Sequence, residues 1–290
     1  MIARRMSKLD SSGIRKVFDL AAKLKNPVNL SIGQPDFDVP DEVKQAGIDA
    51  IHAGANRYTV TQGIAELRTA ILEKLRQERG VEPEGIVITS GVSGALMLAF
   101  LVLVEPGDEV IIPDPYFVMY KHLVNLTGGT PRFVDTYPDF RFTRERIEPH
   151  VTPRTKILVL NSPANPTGAI CNKADLEGIA QLAAERDLLV ISDEIYQHFS
   201  YDEPHQSIAR LHKKTLLVDG FSKSHAMTGW RLGFAAGPAD ILNQMAMLQQ
   251  YSFVCAPSFA QVAGLKALQT DTKPYAEAYR RKRDLIYNGL

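Results

Sequence analysis

Cysteine is scarce in this sequence, and its scarcity excludes several kinds of site. Among 290 residues only Cys171 and Cys255 are cysteines, and their wide separation matches no metal-ligand spacing. Two distant cysteines favour a reducing, cytoplasmic setting, and neither is a good nucleophile candidate. The sequence therefore predicts a cytoplasmic protein without a metal site.

Charge of one sign and long apolar runs are also lacking. Lysine plus arginine and aspartate plus glutamate both number 33, so no basic excess points to nucleic acid or an anionic membrane surface. The first residues, MIARRMSKLD, lack the apolar run of a signal peptide, and the longest apolar stretch, 95–104, is too short to cross a bilayer. We expect no nucleic-acid partner and no membrane insertion, whereas a small neutral or zwitterionic partner is easier to accommodate.

What the sequence does contain, from Gly85 onward, is an alternation of short β-branched runs with helical patterns. The chain is long enough for one large domain or two medium ones. The predicted strands are 85–90, 109–113, 155–161, 188–193, 215–220 and 231–237. The predicted helices are 41–53, 64–79, 94–104, 116–127, 173–186, 240–252 and 274–289. Each strand is apolar enough to be covered on both faces, which predicts an α/β fold with a mostly parallel sheet sandwiched by helices.

A lysine and an arginine follow the fifth predicted strand. Lys223 lies just beyond that strand, and Arg231 comes later in the same segment. A lysine sheltered at a strand end can lose its proton and form a Schiff base with an aldehyde, and an arginine nearby can bind a phosphate through two parallel hydrogen bonds. Because lysines at strand ends are common, Lys223 taken alone is better explained as a surface lysine in a turn.

The fourth predicted strand ends with Asp193, and Tyr196 follows it closely. In an α/β sheet, an acidic residue at the carboxyl end of a strand faces the crevice where ligands bind. Beside a pyridine nitrogen, this carboxylate would keep the nitrogen protonated and make the ring an electron sink. The alternative is a helix N-cap, which the following Glu194 suits but which does not explain Tyr196.

Two turns that follow strands could also carry chemistry. In Asn165-Pro166 the proline restricts the backbone of the residue before it and so fixes the direction of the Asn165 amide. The alternative is that Asn165 serves only to form the turn. The turn in ITSGVSG leads into a helix and leaves backbone N–H groups at 92–94 free to receive a phosphate. The turn lacks GxGxxG and the P-loop lysine, which argues against binding of dinucleotides or nucleoside triphosphates.

Together these segments resemble, in order and spacing, the fold-type I pyridoxal-phosphate enzymes, most closely the class I/II aminotransferases related to aspartate aminotransferase. The matching segments cover nearly the whole chain: SIGQPDFDVP, NRYTVTQGIAELR, VEPGDEVIIPDPYFVMY, NSPANPTG, SDEIY and SKSHAMTGWRLGF. The resemblance implies the fold-type I architecture and pyridoxal 5'-phosphate as cofactor. It also implies transfer of an amino group between an L-amino acid and a 2-oxo acid.

The same resemblance assigns roles to the residues around the cofactor ring. Lys223 would form the Schiff base, and Asp193 would pair with the pyridine nitrogen. Tyr196 and Asn165 would hydrogen-bond the phenolic oxygen of the ring. Phe117 stands where the family stacks an aromatic ring on the cofactor, although an aromatic residue after a strand is more often plain core. The predicted catalytic residues are therefore Lys223, Asp193 and Tyr196.

Further assignments concern the cofactor phosphate and a second subunit. By resemblance, Val92, Ser93 and Arg231 bind the phosphate, and Ser222, beside the lysine, belongs to the cofactor-binding residues. Tyr58 matches a tyrosine that reaches the phosphate of the neighbouring subunit. This match implies a homodimer with shared active sites.

The resemblance also concerns substrate binding, and the chain departs from the family pattern in two places. Gly33 matches a loop whose backbone approaches the substrate carboxylate, and Asn165 would also contact the substrate. Many relatives carry a phosphate-binding serine three residues before the lysine, where this chain has Gly220. The family arginine that binds the α-carboxylate lies in a C-terminal segment for which no counterpart precedes Leu290. We therefore expect cofactor binding to survive better than transamination.

The expected organisation is an N-terminal arm with part of a smaller domain (1–50), a large cofactor-binding domain (51–275) and the start of an incomplete C-terminal domain (276–290). Two alternatives to the aminotransferase stay open: a truncated relative or fragment that binds cofactor without efficient turnover, and a pyridoxal-phosphate-dependent β-lyase. A regulator with a fused aminotransferase-like domain is less favoured, because no helix-turn-helix precedes residue 30 and the charge is balanced. The sequence does not specify which amino acid is used.

Overall fold

The computed structural model describes residues 1–10 and 33–290 and, between them, residues 13, 17, 20, 21 and 23–26. Part of the predicted N-terminal arm, including the start of the SIGQPDFDVP segment, therefore lies outside the described residues.

Seven strands form one sheet in the described part of the chain. They are β1 (Gly85–Ser90), β2 (Glu109–Asp114), β3 (Thr130–Asp135), β4 (Thr155–Asn161), β5 (Leu189–Asp193), β6 (Thr215–Gly220) and β7 (Leu232–Gly237). The strand order is β1-β7-β6-β5-β4-β2-β3. Every neighbouring pair is parallel except the two that β7 makes with β1 and β6. The predicted mostly parallel sheet is confirmed.

Helices connect the strands and cover both faces of the sheet. They are α1 (Asp41–His52), α2 (Ala65–Arg79), α3 (Gly91–Leu103), α4 (Met119–Thr127), α5 (Arg144–Ile147), α6 (Lys173–Glu185), α7 (Ala239–Gln250), α8 (Ser258–Ala267) and α9 (Lys273–Gly289). Among the helices that the structure describes, none is both long and apolar enough to cross a bilayer.

The central strands are apolar on both faces, as the alternation of side chains in β5 illustrates. Val190 packs with Leu176 and Ile179 of α6, whereas Ile191 packs with Ala95 and other residues of α3 on the opposite face. Both strand side chains are fully buried. Burying one such side chain contributes roughly 1.5–3 kcal/mol, so helices on both faces are needed to stabilise the sheet.

The sequence did not predict three of these elements, β3, α5 and α8. Helix α5 spans four residues, too few to show a helical pattern. Strand β3 is one of the two edge strands of the sheet, contains Pro131 and is only half-buried along most of its length. A half-buried edge strand needs no continuous apolar run, and proline is tolerated there because one side of the strand forms no hydrogen bonds within the sheet. Helix α8 buries mainly small residues, among them Ala260, Ala263 and Gly264, which give a weak apolar pattern.

The parallel strands β4, β5 and β6 end at the same edge of the sheet. Asn161, at the end of β4, lies opposite Asp193 in the register, and Asp193 lies opposite Val218. Lys223 follows the end of β6 by three residues. The chain topology therefore brings together polar residues that are far apart in sequence, at the edge where ligands bind in open α/β sheets.

A separate ion cluster lies at the opposite edge, at the start of β2. The Glu109 carboxylate accepts hydrogen bonds from Arg132 at 2.8 Å, Arg154 at 2.8 Å and Thr152 at 2.7 Å. Its side chain is 1% exposed. The hydrogen bond from Arg132, despite the opposing effect of burial, holds the pKa of Glu109 at about 2. This cluster joins β2, β3 and the segment before β4, and it is remote from the ligand-binding edge.

Candidate active site

A cavity of about 570 Å³ opens at the carboxyl ends of β4, β5 and β6. Every site residue predicted from the sequence lines it except Tyr58. The predicted residues that line it are Gly33, Val92, Ser93, Phe117, Asn165, Asp193, Tyr196, Ser222, Lys223 and Arg231. The structure therefore gathers them around one space, while the role of each stays a prediction.

The amine of Lys223 stands at the mouth of this cavity. Its Nζ donates a hydrogen bond to the Gly33 carbonyl at 2.6 Å and lies 5.7 Å from the centre of the Tyr196 ring. Burial, and after it the charge of Arg231, lowers the pKa of Lys223. A lowered pKa increases the fraction of neutral, nucleophilic amine near neutral pH. A surface lysine, which burial does not affect, lacks this property.

Asp193 is the last residue of β5 and is held in place by three neighbours. Its Oδ2 accepts a hydrogen bond from the Tyr120 hydroxyl at 2.7 Å, and its Oδ1 accepts one from the Ile195 N–H at 3.3 Å. The Asn161 side chain donates to the Asp193 carbonyl at 3.0 Å. Burial raises the pKa of Asp193 to about 6, and the hydrogen bonds from Tyr120 and Ile195 offset this effect only in part.

Tyr196 and Asn165 lie side by side in the cavity wall. The Asn165 amide donates to the Tyr196 hydroxyl at 3.5 Å, a long contact, and the Asn165 N–H donates to Oδ1 of Asn161 at 2.7 Å. Burial and the charge of Asp193 raise the pKa of Tyr196 to about 12. The phenol is therefore protonated near neutral pH and can donate a hydrogen bond to an oxygen in the cavity.

The start of α3 and the Arg231 guanidinium together have the chemistry of a candidate anion site. The first N–H groups of a helix have no partner within it, and the helix dipole favours negative charge there. The Arg231 guanidinium donates to the Thr228 carbonyl at 2.8 Å and to the Ser90 carbonyl at 3.2 Å. Gly91, with a φ of +68°, leaves room for it, because a Cβ there would stand 2.5 Å from Nη2 of Arg231. The helix start and the guanidinium therefore face one another closely.

The packing around Gly220 explains why this position departs from the family pattern. A Cβ at this position would stand 2.8 Å from Cα of Gly233 and 2.8 Å from the Leu232 carbonyl oxygen. These are backbone atoms of the neighbouring strand β7, which cannot rotate away as a side chain could. The close contact between β6 and β7 leaves no room for the serine that many relatives carry.

Tyr58 is the one predicted site residue outside the cavity. Tyr58 is 83% exposed. Segments 58–60 and 247–253 both carry exposed apolar side chains, which we call the exposed apolar group: Tyr58, Val60, Met247, Tyr251 and Phe253. The Gln249 side chain ties its two segments together by donating to the Thr61 carbonyl at 2.6 Å.

The sequence did not identify Tyr120 as a site residue. Tyr120 lies in the first turn of α4, in the DPYFVMY segment, and packs edge-on against Phe117 with ring centres 5.6 Å apart. In the predicted helix 116–127, a spacing of three residues would put both rings on one face, which is the signal that could have linked them. Only the tertiary structure shows that the Tyr120 hydroxyl reaches Asp193.

Comparisons with known proteins agree with this geometry. The chain matches the model of the family "Aminotransferase class I and II" over residues 25–290. It is 41% identical to an aspartate aminotransferase of Pyrococcus abyssi, with 99% of this chain and 77% of the relative covered. It is 39% identical to aromatic-amino-acid aminotransferase 2 of Thermococcus litoralis, with 100% of this chain and 78% of the relative covered.

Solved structures give the same result. Aspartate aminotransferase from Thermus thermophilus with maleate has a TM-score of 0.96 to this chain at 41% identity, and the alignment covers 100% of this chain and 80% of the other. Aspartate aminotransferase from Rhizobium meliloti has a TM-score of 0.94 at 38% identity. The predicted resemblance is confirmed by fold and sequence together, and the chain belongs to the class I and II aminotransferase family.

Proposed function

We propose that this chain uses pyridoxal 5'-phosphate, bound at Lys223, to transfer an amino group between an L-amino acid and a 2-oxo acid. The observation that carries the proposal is the meeting of three groups around one cavity: the amine of Lys223, the buried carboxylate of Asp193 and the anion site at Arg231. A single ligand with an aldehyde, a basic ring nitrogen and a phosphate would satisfy all three.

The residues present fit this cofactor. Arg231 and the free N–H groups at the start of α3 provide charge and hydrogen bonds for a phosphate, with the Ser93 hydroxyl beside them. A protonated ring nitrogen next to buried Asp193 would compensate the charge of its carboxylate. Tyr196 and Asn165 would donate hydrogen bonds to a phenolic oxygen, and Phe117 provides an aromatic wall.

Bound pyridoxal phosphate supplies an aldehyde that combines with amines and a ring that takes up the electron pair released at the substrate α-carbon. The chain supplies the groups around it. Lys223 would hold the cofactor through Nζ, and its free amine would accept the α-proton of the substrate and donate a proton to the carbon of the cofactor aldehyde. The lowered pKa of Lys223 favours the neutral amine that this transfer requires. Asp193 would keep the ring nitrogen protonated through its negative charge.

The direct test is product analysis with the purified chain, pyridoxal phosphate and a panel of amino acids. We expect each accepted amino acid to yield its 2-oxo acid, together with a cofactor spectrum that shifts as the amino group is taken up and reverts on addition of a second 2-oxo acid. A β-lyase would instead release ammonia and pyruvate from a sulfur amino acid, without reversion by a 2-oxo acid. Binding of cofactor without any product would identify the non-catalytic alternative.

We also propose that the chain forms a homodimer, in which Tyr58 reaches the phosphate site of the second copy. Tyr58 does not line the cavity of its own chain, yet it lies in the exposed apolar group. Phe253 of that group passes close to the start of α3, since a Cβ on Gly94 would stand 3.9 Å from its ring. A partner bound to this apolar group would therefore lie next to the anion site, and a homodimer would bury all of these side chains.

Subunit mixing tests this assembly. We expect Tyr58→Ala and Lys223→Ala each to be defective alone, and a refolded mixture of equal amounts to regain about a quarter of the parent activity. In a symmetric dimer, about half of the molecules would be hybrids, and one of the two sites in each hybrid would contain both intact residues. The control is each variant refolded by itself. Absence of recovery in a mixture shown to contain hybrids, or a monomer in sedimentation, would contradict the shared site.

A further inference from the structure

The last residue of α2, Arg79, lies between two buried carboxylates behind the cofactor cavity. Its Nη1 donates to Oε2 of Glu194 at 3.0 Å, and its Nη2 donates to Oδ2 of Asp219. The Arg79 side chain is 11% exposed, and the two acidic side chains are 1% and 4% exposed. None of the three lines the cofactor cavity, so direct contact with a ligand does not explain them.

The two carboxylates belong to the segments that carry the predicted catalytic groups. Glu194 directly follows Asp193, and Asp219 precedes Lys223 by four residues. The pairing of β5 with β6 extends to Asp193 and Val218, and the Glu194 N–H adds a last hydrogen bond to the Val218 carbonyl at 3.0 Å. Beyond this point β5 ends and Glu194 leaves the sheet, whereas β6 continues to Gly220 in antiparallel pairing with β7. The planar guanidinium of Arg79 then joins the two carboxylates with two hydrogen bonds of fixed direction.

Glu194 is held rigidly on its other side as well. Its Oε1 accepts hydrogen bonds from Ser192 at 2.9 Å and Ser207 at 2.6 Å, and His205 lies 2.9 Å from its Oε2. Burial raises the pKa of Glu194, but the hydrogen bond from His205 and the charges of His205 and Arg79 hold it at about 2. Glu194 is therefore a fixed anion, and it provides a firm anchor for the guanidinium.

We propose that Arg79 is a positioning residue that fixes Asp193 relative to Lys223 by binding Glu194 and Asp219. If Lys223 holds the cofactor covalently and Asp193 holds its ring nitrogen, the relative positions of these two residues set the orientation of the ring. Small errors in such placement are costly, because reacting atoms must be aligned before proton transfer. The inference rests on the proposed function, since it concerns the orientation of the bound cofactor.

The test uses the full chain loaded with pyridoxal phosphate and two variants, Arg79→Met and Arg79→Lys. The main readout is visible circular dichroism of the bound cofactor, which arises only when the protein holds the ring in one orientation. We expect Arg79→Met to lose most of this signal per bound cofactor and to transaminate roughly tenfold more slowly or worse, as loss of a charge-assisted hydrogen bond implies. Arg79→Lys keeps the charge but not the two-armed geometry and should lie in between.

Arg132→Met is the matched control, because it removes a guanidinium from the buried Glu109 at the remote edge of the sheet. It should lower the thermal midpoint and leave the visible circular dichroism unchanged. If Arg79→Met does not fold, Arg79→Lys and Asp219→Asn carry the same test. The inference is overturned if the Arg79 variants behave like Arg132→Met, with lower stability but parental circular dichroism and kcat. If the parent chain itself forms no Lys223-dependent visible band, the proposed function fails instead.

Discussion

Lys223→Ala is expected to abolish the visible absorption band of the cofactor-loaded protein and to slow transamination by roughly 10²–10⁴-fold or more. The variant loses both the amine that we propose holds the cofactor and the base that we propose moves the α-proton. The phosphate site at Arg231 does not depend on this amine, because its hydrogen bonds go to Thr228 and Ser90. Non-covalent cofactor should therefore still bind, and free and bound cofactor can be separated by gel filtration and measured by absorbance.

A lysine at the opposite end of β6 offers a matched control. Lys214 directly precedes β6, at the end remote from the cavity, where its Nζ donates to the Asp187 carboxylate at 2.8 Å. Lys214→Ala should retain the visible band and the parental rate. A band of unchanged position and intensity in Lys223→Ala would mean that another amine holds the cofactor and would refute the assignment.

Asp193→Asn is expected to have the second largest effect, a fall of roughly two to three orders of magnitude or more in the rate of each half-reaction. The substitution keeps the shape of the side chain but removes the charge that would hold the ring nitrogen protonated. The hydrogen bond from Tyr120 can be retained, so the fold should survive. Stopped-flow absorbance with a single amino acid measures this rate directly. Glu109→Gln, which alters a buried carboxylate at the opposite edge, should leave the rate unchanged in a folded protein.

The same variant has a predicted effect on the cofactor-free protein. Because burial raises the pKa of Asp193 from 3.8 to about 6, the folded state binds its proton more tightly than the unfolded chain does. The contribution of Asp193 to the free energy of unfolding is therefore favourable at low pH and is lost as pH rises from about 4 to about 6. We expect Asp193→Asn to gain stability relative to the parent across this window, as chemical denaturation at several pH values would show. A constant difference would mean that Asp193 is not buried as an uncompensated acid.

The sheet was predictable because the sequences of its central strands are continuous apolar runs. Strand β4 matches the predicted bounds, and β5 begins one residue later than predicted. Placement of the polar residues near one another follows from the same prediction, since parallel strands end at one edge. The sequence thus indicated the location of Asn165, Asp193 and Lys223 before any contact was known.

Contacts that helix residues make with the strand ends could not be predicted in the same way. Tyr120 reaches Asp193 across 73 residues, and Arg79 reaches Glu194 across 115. Both contacts depend on how a helix is rotated on the sheet, and a helical pattern shows which face is buried but not which side chain touches which strand end. Tyr58 is a third case, because the role proposed for it requires a second copy of the chain.

The close approach of Gly220 to β7 also bears on the history of this sequence. With backbone atoms of Gly233 and Leu232 at 2.8 Å from any added Cβ, a change from glycine to serine cannot be accepted alone. Descendants of this chain could gain the hydroxyl only after earlier substitutions had widened the spacing of the two strands. Adaptation of the proposed phosphate site is therefore directed to other positions.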